Sequence, residues 1–383
     1  MNPITRTEQF LAAAAGEYDG GLPEPVTRLE HYLSKIKTVG DHLQSEIDMI
    51  AGMVEVESWA DVQKIVRAGM AGSFFSVGDQ LTCQKDGVNL VWDIIGIDHD
   101  MPADLQYTHS MTLQLHDTLS TRIQFDNPEA LYYAESGLAA GTYHFAIGTT
   151  NYQFDLASAV PAGGQLILNY NGTTPSTISV SAAKGGEAVG EIPITTGSGG
   201  TTLTAVNSSQ RMKYGSNRYK ESSLRQWLNS DDAAGSVWSP QNDFDRPPTW
   251  AATTAGFMNG LDADFIAVIG NTKITVAKNT ITDGGGFETL DDKFFLPSRS
   301  EVYGGLENSV TEGTPYPYYS AHSDLSEAGI GADSNRVKTQ SWWLRTPVSN
   351  EDHRLRINKN TDGSINANYS VYTTGLSIVC NII

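Results

Sequence analysis

Ser341-Trp-Trp-Leu-Arg-Thr-Pro347 opens the stretch that decides how this chain is read. It continues through Val348-Ser-Asn-Glu-Asp-His-Arg354, Leu355-Arg-Ile-Asn-Lys359, a turn at Asn360-Thr-Asp-Gly363, and Ser364-Ile-Asn-Ala-Asn-Tyr-Ser-Val-Tyr372. Two tryptophans, a leucine and Thr-Pro read as a rigid core element, and the chain closes on apolar Gly375-Leu-Ser-Ile-Val-Cys-Asn-Ile-Ile383. A polar run is thus held between two hydrophobic anchors, an arrangement that suits a display surface better than a catalytic site. Successive side chains of a strand point to opposite faces. If 353–359 is a strand, Leu355 and Ile357 face inward while Arg354, Arg356 and Asn358 face out. Beyond the turn, Ile365 and Ala367 face in while Asn366, Asn368, Ser370 and Tyr372 face out. Exposed positions on a fixed backbone tolerate substitution within about 0.5 kcal/mol, and Tyr, Ser, Asn and His with a few Arg is paratope-like chemistry. The expected ligand-binding surface is Asn350, Glu351, His353, Arg354, Arg356, Asn358, Asn366, Asn368, Tyr369 and Tyr372, on a scaffold of Trp342, Trp343, Leu344, Arg345 and Trp227. One of the paired tryptophans reads as core and the other as a shelf beneath that surface.

The chain has 383 residues, room for two or three domains, with 44 acidic residues against 25 basic and a formal charge of −19. Nucleic acid and anionic membranes recruit proteins through basic patches, so neither is an expected partner. Two cysteines, Cys83 and Cys380, are too few for a disulfide framework. They read as buried thiols in strands, with a single bridge between the first and last strands as the alternative. No stretch approaches the ~20 apolar residues of a membrane span, and Met1-Asn-Pro-Ile-Thr-Arg6 lacks the apolar core of a signal peptide.

Residues 1–72 read as helical: Val26, Leu29, Leu33 and Ile36 recur at three- and four-residue spacing, and Ser58 with Asp61 makes a capping box ahead of Val62, Ile65 and Val66. Such short helices either anchor the chain to a partner or cap the next domain. From Phe74 the period becomes two: Val77–Gln84, a turn at Lys85-Asp-Gly87, Val88–Ile97 and Thr108–His116. Over 121–204, short strands at Thr142–Ile147, Tyr152–Leu156, Gln165–Tyr170 and Thr177–Val180 lie between Gly, Pro, Asn and Ser turns, the pattern of a small β-sandwich. Ser222 or Ser223 caps a helix carrying Leu224, Trp227 and Leu228.

The blocks Trp92-Asp-Ile-Ile-Gly-Ile97, Ser223-Leu-Arg-Gln-Trp-Leu-Asn229, Phe295-Leu-Pro-Ser-Arg-Ser-Glu-Val302 and Trp342-Trp-Leu-Arg-Thr-Pro347, in that order, resemble a domain family of bacterial and bacteriophage proteins. The family is similar to the C-type-lectin-like group, in the branch related to formylglycine-generating enzymes, whose fold retroelement-diversified variable proteins share. The resemblance implies an α+β chain: an N-terminal helical segment (1–72), a C-type-lectin-like domain (73–120 and 205–383) and an inserted β-sandwich (121–204). It also implies that variation falls on exposed positions of the C-terminal segment. The family tends to end in a Gly-Val-Arg-Pro-like element, where this chain has Gly375-Leu-Ser-Ile378.

No catalytic constellation, cofactor or metal site is expected. Formylglycine-generating enzymes use a closely placed cysteine pair, which Cys83 and Cys380 do not form in sequence. His99, His109 and His116 do not share one face, Gly284-Gly-Gly286 reads as a mobile loop, and Asp262-Ala-Asp264 lacks the dense oxygen ligands calcium takes. Tyr316-Pro-Tyr-Tyr319 either packs internally or lines the rim of the surface. The expectation is a bacteriophage receptor-binding protein of the virion. Its partners would be a host-surface protein or glycan, other virion proteins and copies of itself, trimers included. A bacterial surface-associated binding protein is the alternative, and a formylglycine-generating-type enzyme the remote one.

Overall fold

The computed structural model describes residues 11, 12, 14, 33–40, 42, 56–320 and 335–383. The chain divides into two compact units, residues 1–61 and 62–383. In the first, residues 33–40 are helical, with Ile36 and Val39 exposed. Val26 and Leu29, the start of the expected apolar stripe, lie outside the described residues. Ser58 accepts from the backbone N–H of Asp61 and donates to its carboxylate, opening the helix Trp59–Arg67. That helix buries Val62, Ile65 and Val66.

The second unit is mixed α and β, with strand the dominant element. Its central sheet runs in the order Gln80–Lys85, Val88–Ile97, Met111–Leu115, Val379–Ile382 and Ile269–Gly270, with Phe294–Phe295 also paired to Val379–Ile382. The first hairpin turns at Asp86 and Gly87, both left-handed (φ 51° and 78°), the conformation that matches the twist of tightly paired strands. Chain-terminal Val379–Ile382 is thereby central, beside a strand almost 270 residues earlier, and Met111–Leu115 is buried on both faces. This explains why the alternation expected over Thr108–His116 yields no exposed face within the strand: Thr112 and Gln114 are covered too, Thr112 donating to Asn381 and Gln114 accepting from Tyr319. Cys83 and Cys380 are free, buried thiols.

Residues 132–202 form two four-stranded sheets, one built on Gly164–Asn171 and Thr174–Ser181, the other on Gly141–Ile147 and Thr150–Leu156. Alternate residues Tyr143, Phe145, Phe154, Leu156, Leu166, Leu168 and Ile178 share a single core, to which Leu203 and Met212 also contribute. Among the described residues no helix is long and apolar enough to cross a membrane.

Candidate functional site

The three strands Trp342–Pro347, Arg354–Asn358 and Ile365–Tyr369 form one antiparallel sheet. Its register corrects the face assignment read from the sequence. The connection through Gly363 sets Asn358 opposite Ile365, Leu355 opposite Asn368 and Arg354 opposite Tyr369. Directly opposed residues share a face. Leu355 and Ile357 therefore lie with Asn366 and Asn368, and Arg354, Arg356 and Asn358 with Ile365, Ala367 and Tyr369. The phase between two strands cannot be read from alternation alone. Asn358 is fully buried and donates to the Tyr303 hydroxyl (2.6 Å), so it belongs to the interior. Ser370 is buried as well, hydrogen-bonded twice to the carbonyl of His353. Arg356 is half-buried and forks onto Glu307 (2.9 and 3.1 Å). Asn350, Asn366 and Tyr372 are exposed; Glu351, His353, Arg354, Asn368 and Tyr369 are partly buried.

Five of these surface residues are brought to one place. The Tyr369 ring stacks on Tyr214 (centroids 4.1 Å apart, 17° between planes) and on His353 (5.5 Å), and Tyr372 meets it edge-on at 5.4 Å. Arg354 lies 5.5 Å from the Tyr369 centroid and is held by Glu351 (3.3 Å). Two participants were not among the expected residues. Tyr214 ends the helix Ser209–Tyr214, and its carbonyl accepts from the Val371 N–H. Lys213 sits over both Tyr214 (5.1 Å) and Tyr170 of the sandwich (5.6 Å). Burial and the neighbouring Tyr152 and Tyr214 push the Tyr170 hydroxyl up to about 12, so it stays neutral. Stacked rings with cations over their faces offer apolar area and charge together, a combination suited to recognition. Tyr214 lies upstream of the Ser223–Asn229 block and carries no sequence signal of its own.

Beneath this cluster the scaffold is buried. Trp342, Trp343, Leu344 and Arg345 are fully enclosed and Trp227 nearly so; both paired tryptophans are core, and the expected shelf does not exist. Arg345 donates to both oxygens of Glu301 (2.6 and 2.7 Å) and to the carbonyls of Thr275, Leu296 and Glu312. Burial pushes the nearby Glu312 carboxyl up to about 7. Asn217, also buried, donates to the carbonyls of Glu351 and Arg354 (2.8 and 2.9 Å) and accepts from Asn279 (2.8 Å). It pins the loop that carries Asn350 to His353. Gly284, Gly285 and Gly286 are successive left-handed residues ending the loop before Phe287–Asp292. Backbone bonds from Lys278 to Gly286 and from Gly285 to Asn279 close that loop.

Titratable groups elsewhere are dispersed. His99, His109 and His116 each face a different carboxylate, Asp100, Asp98 and Asp93. Burial raises both thiols, Cys83 to about 11, whereas a catalytic thiol needs a depressed value. Asp262 caps the helix Ala263–Val268, accepting from Asp264 N. The tyrosines of 316–319 pack internally: Tyr316 bonds Asp100 and Tyr318 bonds Asp93, with Tyr316 and Tyr319 buried. The residues best placed to hold a metal are Asp126, Glu129 and Asp245, buried carboxylates with oxygens within 4.8 Å of one another. Among the described residues their one ion-pair partner is Arg211, 3.9 Å from Glu129. Burial and mutual repulsion raise the carboxyl pKa values, Asp245 to about 7, so protons can do what a cation would.

Residues 199–382 match the model of a family described as a domain of unknown function (DUF6273). No curated protein and no solved structure matches the chain. The matched region contains three of the four blocks quoted above; the fourth, Trp92–Ile97, pairs with Met111–Leu115, the neighbour of the terminal strand.

Proposed function

We propose that this chain is a bacteriophage structural protein whose C-type-lectin-like domain presents the cluster of Tyr214, His353, Tyr369 and Tyr372 to a ligand on the host surface. The observation that carries the binding half of this reading is the cluster itself. It sets stacked aromatic area beside Arg354 and Lys213, on a chain whose net charge is −19, and mounts both on a buried, polar-locked scaffold. The lectin-like fold is supported by one central sheet that joins strands from 80–115 to the terminal strand around the intervening sandwich. The virion half rests on the resemblance of the four blocks. Exposed Ile36 and Val39 support attachment or self-association through the N-terminal segment, and linked copies would multiply weak single contacts by effective concentration. Buried, protonated thiols speak against the formylglycine-generating alternative.

The test replaces Lys213 and Tyr372 together by serine and measures adsorption of the purified protein to bacterial cells and an array of their surface glycans. Binding by the parent should fall at least about tenfold in the variant, with stability changed by no more than about 0.5 kcal/mol per site. Unchanged binding, or loss of folding with loss of binding, would sink the display reading. A neighbouring reverse-transcriptase gene, with a near-copy of the DNA for residues 342–383 differing at adenines, would establish diversification.

A further inference from the structure

A second site lies on the Leu355/Ile357/Asn368 side of the same sheet. A cavity of about 300 Å³ opens between the Thr339–Ser341 segment, the turn at Asn360, Asn368 and the Thr373–Gly375 strand, with Arg122 at its edge. Its walls are fixed by backbone. Thr373 and Thr374 pair with Gln124 and Ile123, which places Arg122 directly beside that ladder. Gly375 donates to the Ser341 carbonyl (2.9 Å) and accepts from Trp343 N–H (3.1 Å). A methyl group on Gly375 would lie 2.8 Å from the Ser341 carbonyl, so the close approach requires glycine. Asn360 is tied to Ser341 and Thr339, and Asn368 to Thr374.

Three properties of the lining define what would fit. Arg122 is the only charged residue in it and, among the described residues, has no hydrogen-bond or ion-pair partner. That is out of pattern in a chain with 44 acidic residues against 25 basic. The buried Oε1 of Gln340 has no hydrogen-bond partner, and a buried acceptor left unpaired costs about 1–3 kcal/mol. The remaining walls are amides and hydroxyls, which both donate and accept, with Ile357 as the one apolar side chain. The volume sits at the lower end of the roughly 300–1,000 Å³ typical of small-molecule sites, which is space for one sugar ring rather than a chain. A single guanidinium forks onto one carboxylate and leaves a dianionic phosphate half-neutralised. Sugar hydroxyls match walls of amides and hydroxyls, because each side both donates and accepts.

We propose that this cavity binds a monosaccharide unit bearing a carboxylate, a uronic or sialic acid. Arg122 would clamp the carboxylate, and the amides and hydroxyls of the walls would bond the sugar hydroxyls. The proposal deepens the host-ligand reading above by naming a glycan class at a site separate from the aromatic cluster. Its test is saturation-transfer NMR and calorimetry on the full chain, with D-glucuronate, N-acetylneuraminate and neutral D-glucose as probes. At least one acid should bind saturably below about 20 mM, with glucose at least about tenfold weaker. The exposed substitution Arg122→Gln should weaken the acid at least about tenfold with an unchanged melting temperature, and Gln340→Ala should weaken it measurably. No binding of either acid overturns the proposal, as does equal binding of glucose or an Arg122→Gln variant that binds as the parent does. Adsorption lost in the Lys213/Tyr372 variant but kept in Arg122→Gln would leave the display reading standing without this pocket.

Discussion

The sandwich of residues 132–202 and the C-terminal domain around it are held together by different physics. The sandwich core is a set of alternating apolar and aromatic residues, Phe145, Phe154, Leu166, Leu168 and Ile178 among them, packed between two sheets. The C-terminal domain has an apolar core too, but the face that carries the aromatic cluster is positioned by buried polar groups: Arg345 with Glu301, Asn217 with Asn279, Asn358 with Tyr303. Hydrophobic burial is non-directional and scales with area, so a sandwich core tolerates changes that keep its volume. Buried hydrogen bonds are directional, and removing one partner leaves the other stranded at full desolvation cost. On the proposed display reading, a surface that keeps its backbone while its side chains change is better served by the second kind of support.

The largest expected effect follows from Arg345→Met. It removes five hydrogen bonds at a fully buried site and leaves the Glu301 carboxylate unpaired. Breaking a buried pair from one side costs about 3–5 kcal/mol, so thermal unfolding should shift down by roughly 5–10 °C or the domain should fail to fold. A loss under about 1 kcal/mol would mean the network is dispensable and would erase the contrast with the sandwich. Asn217→Ala comes next. The Glu351 carbonyl loses the Asn217 donor and the Arg354 carbonyl keeps the Val348 N–H, at a cost of about 1–3 kcal/mol, and amide exchange should rise first over Val348–Arg354. Exchange rising equally across the sandwich would show that Asn217 supports the whole chain instead of positioning one loop.

The same contrast governs what could be read in advance. The sandwich strands were legible because one face of each is apolar, and the hairpin at Asp86-Gly87 because its turn chemistry is local. The helix capped by Ser222 announced itself the same way. The polar supports were not legible, since Asn217 and Asn279 are 62 residues apart and nothing in either neighbourhood marks them as partners. Alternation within Arg354–Asn358 and Ile365–Tyr369 was visible, but neither the register between them nor the cover that Tyr303 gives one end of the outer face was, and Asn358 read as display when it is core. Tyr214 and Lys213 joined the site through a backbone bond to Val371 and ring contacts that depend on tertiary placement.

The smallest effect, and the one with the most informative sign, concerns the buried carboxylates where the sandwich leaves the surrounding domain. Burial, with Glu129 nearby, raises Asp245 to about 7, while an aspartate in the unfolded chain titrates near 3.9. Between those values the native state holds the extra proton, so stability falls as pH rises. The contribution is fully present below about 4 and is lost as pH passes through about 7. Asp245→Asn keeps an oxygen to accept from the Gln241 and Asn242 N–H groups but cannot ionise. The variant should therefore gain on the parent as pH is raised from 5 to 8 in thermal melts. A constant difference would mean that Asp245 titrates as an ordinary surface acid. A reversal at pH 8 that chelator abolishes would show a cation, not a proton, neutralising Asp126, Glu129 and Asp245 in solution. In that case the joint would be locked as the C-terminal face is, by directional polar contacts, and the apolar character of the sandwich would stop at its core.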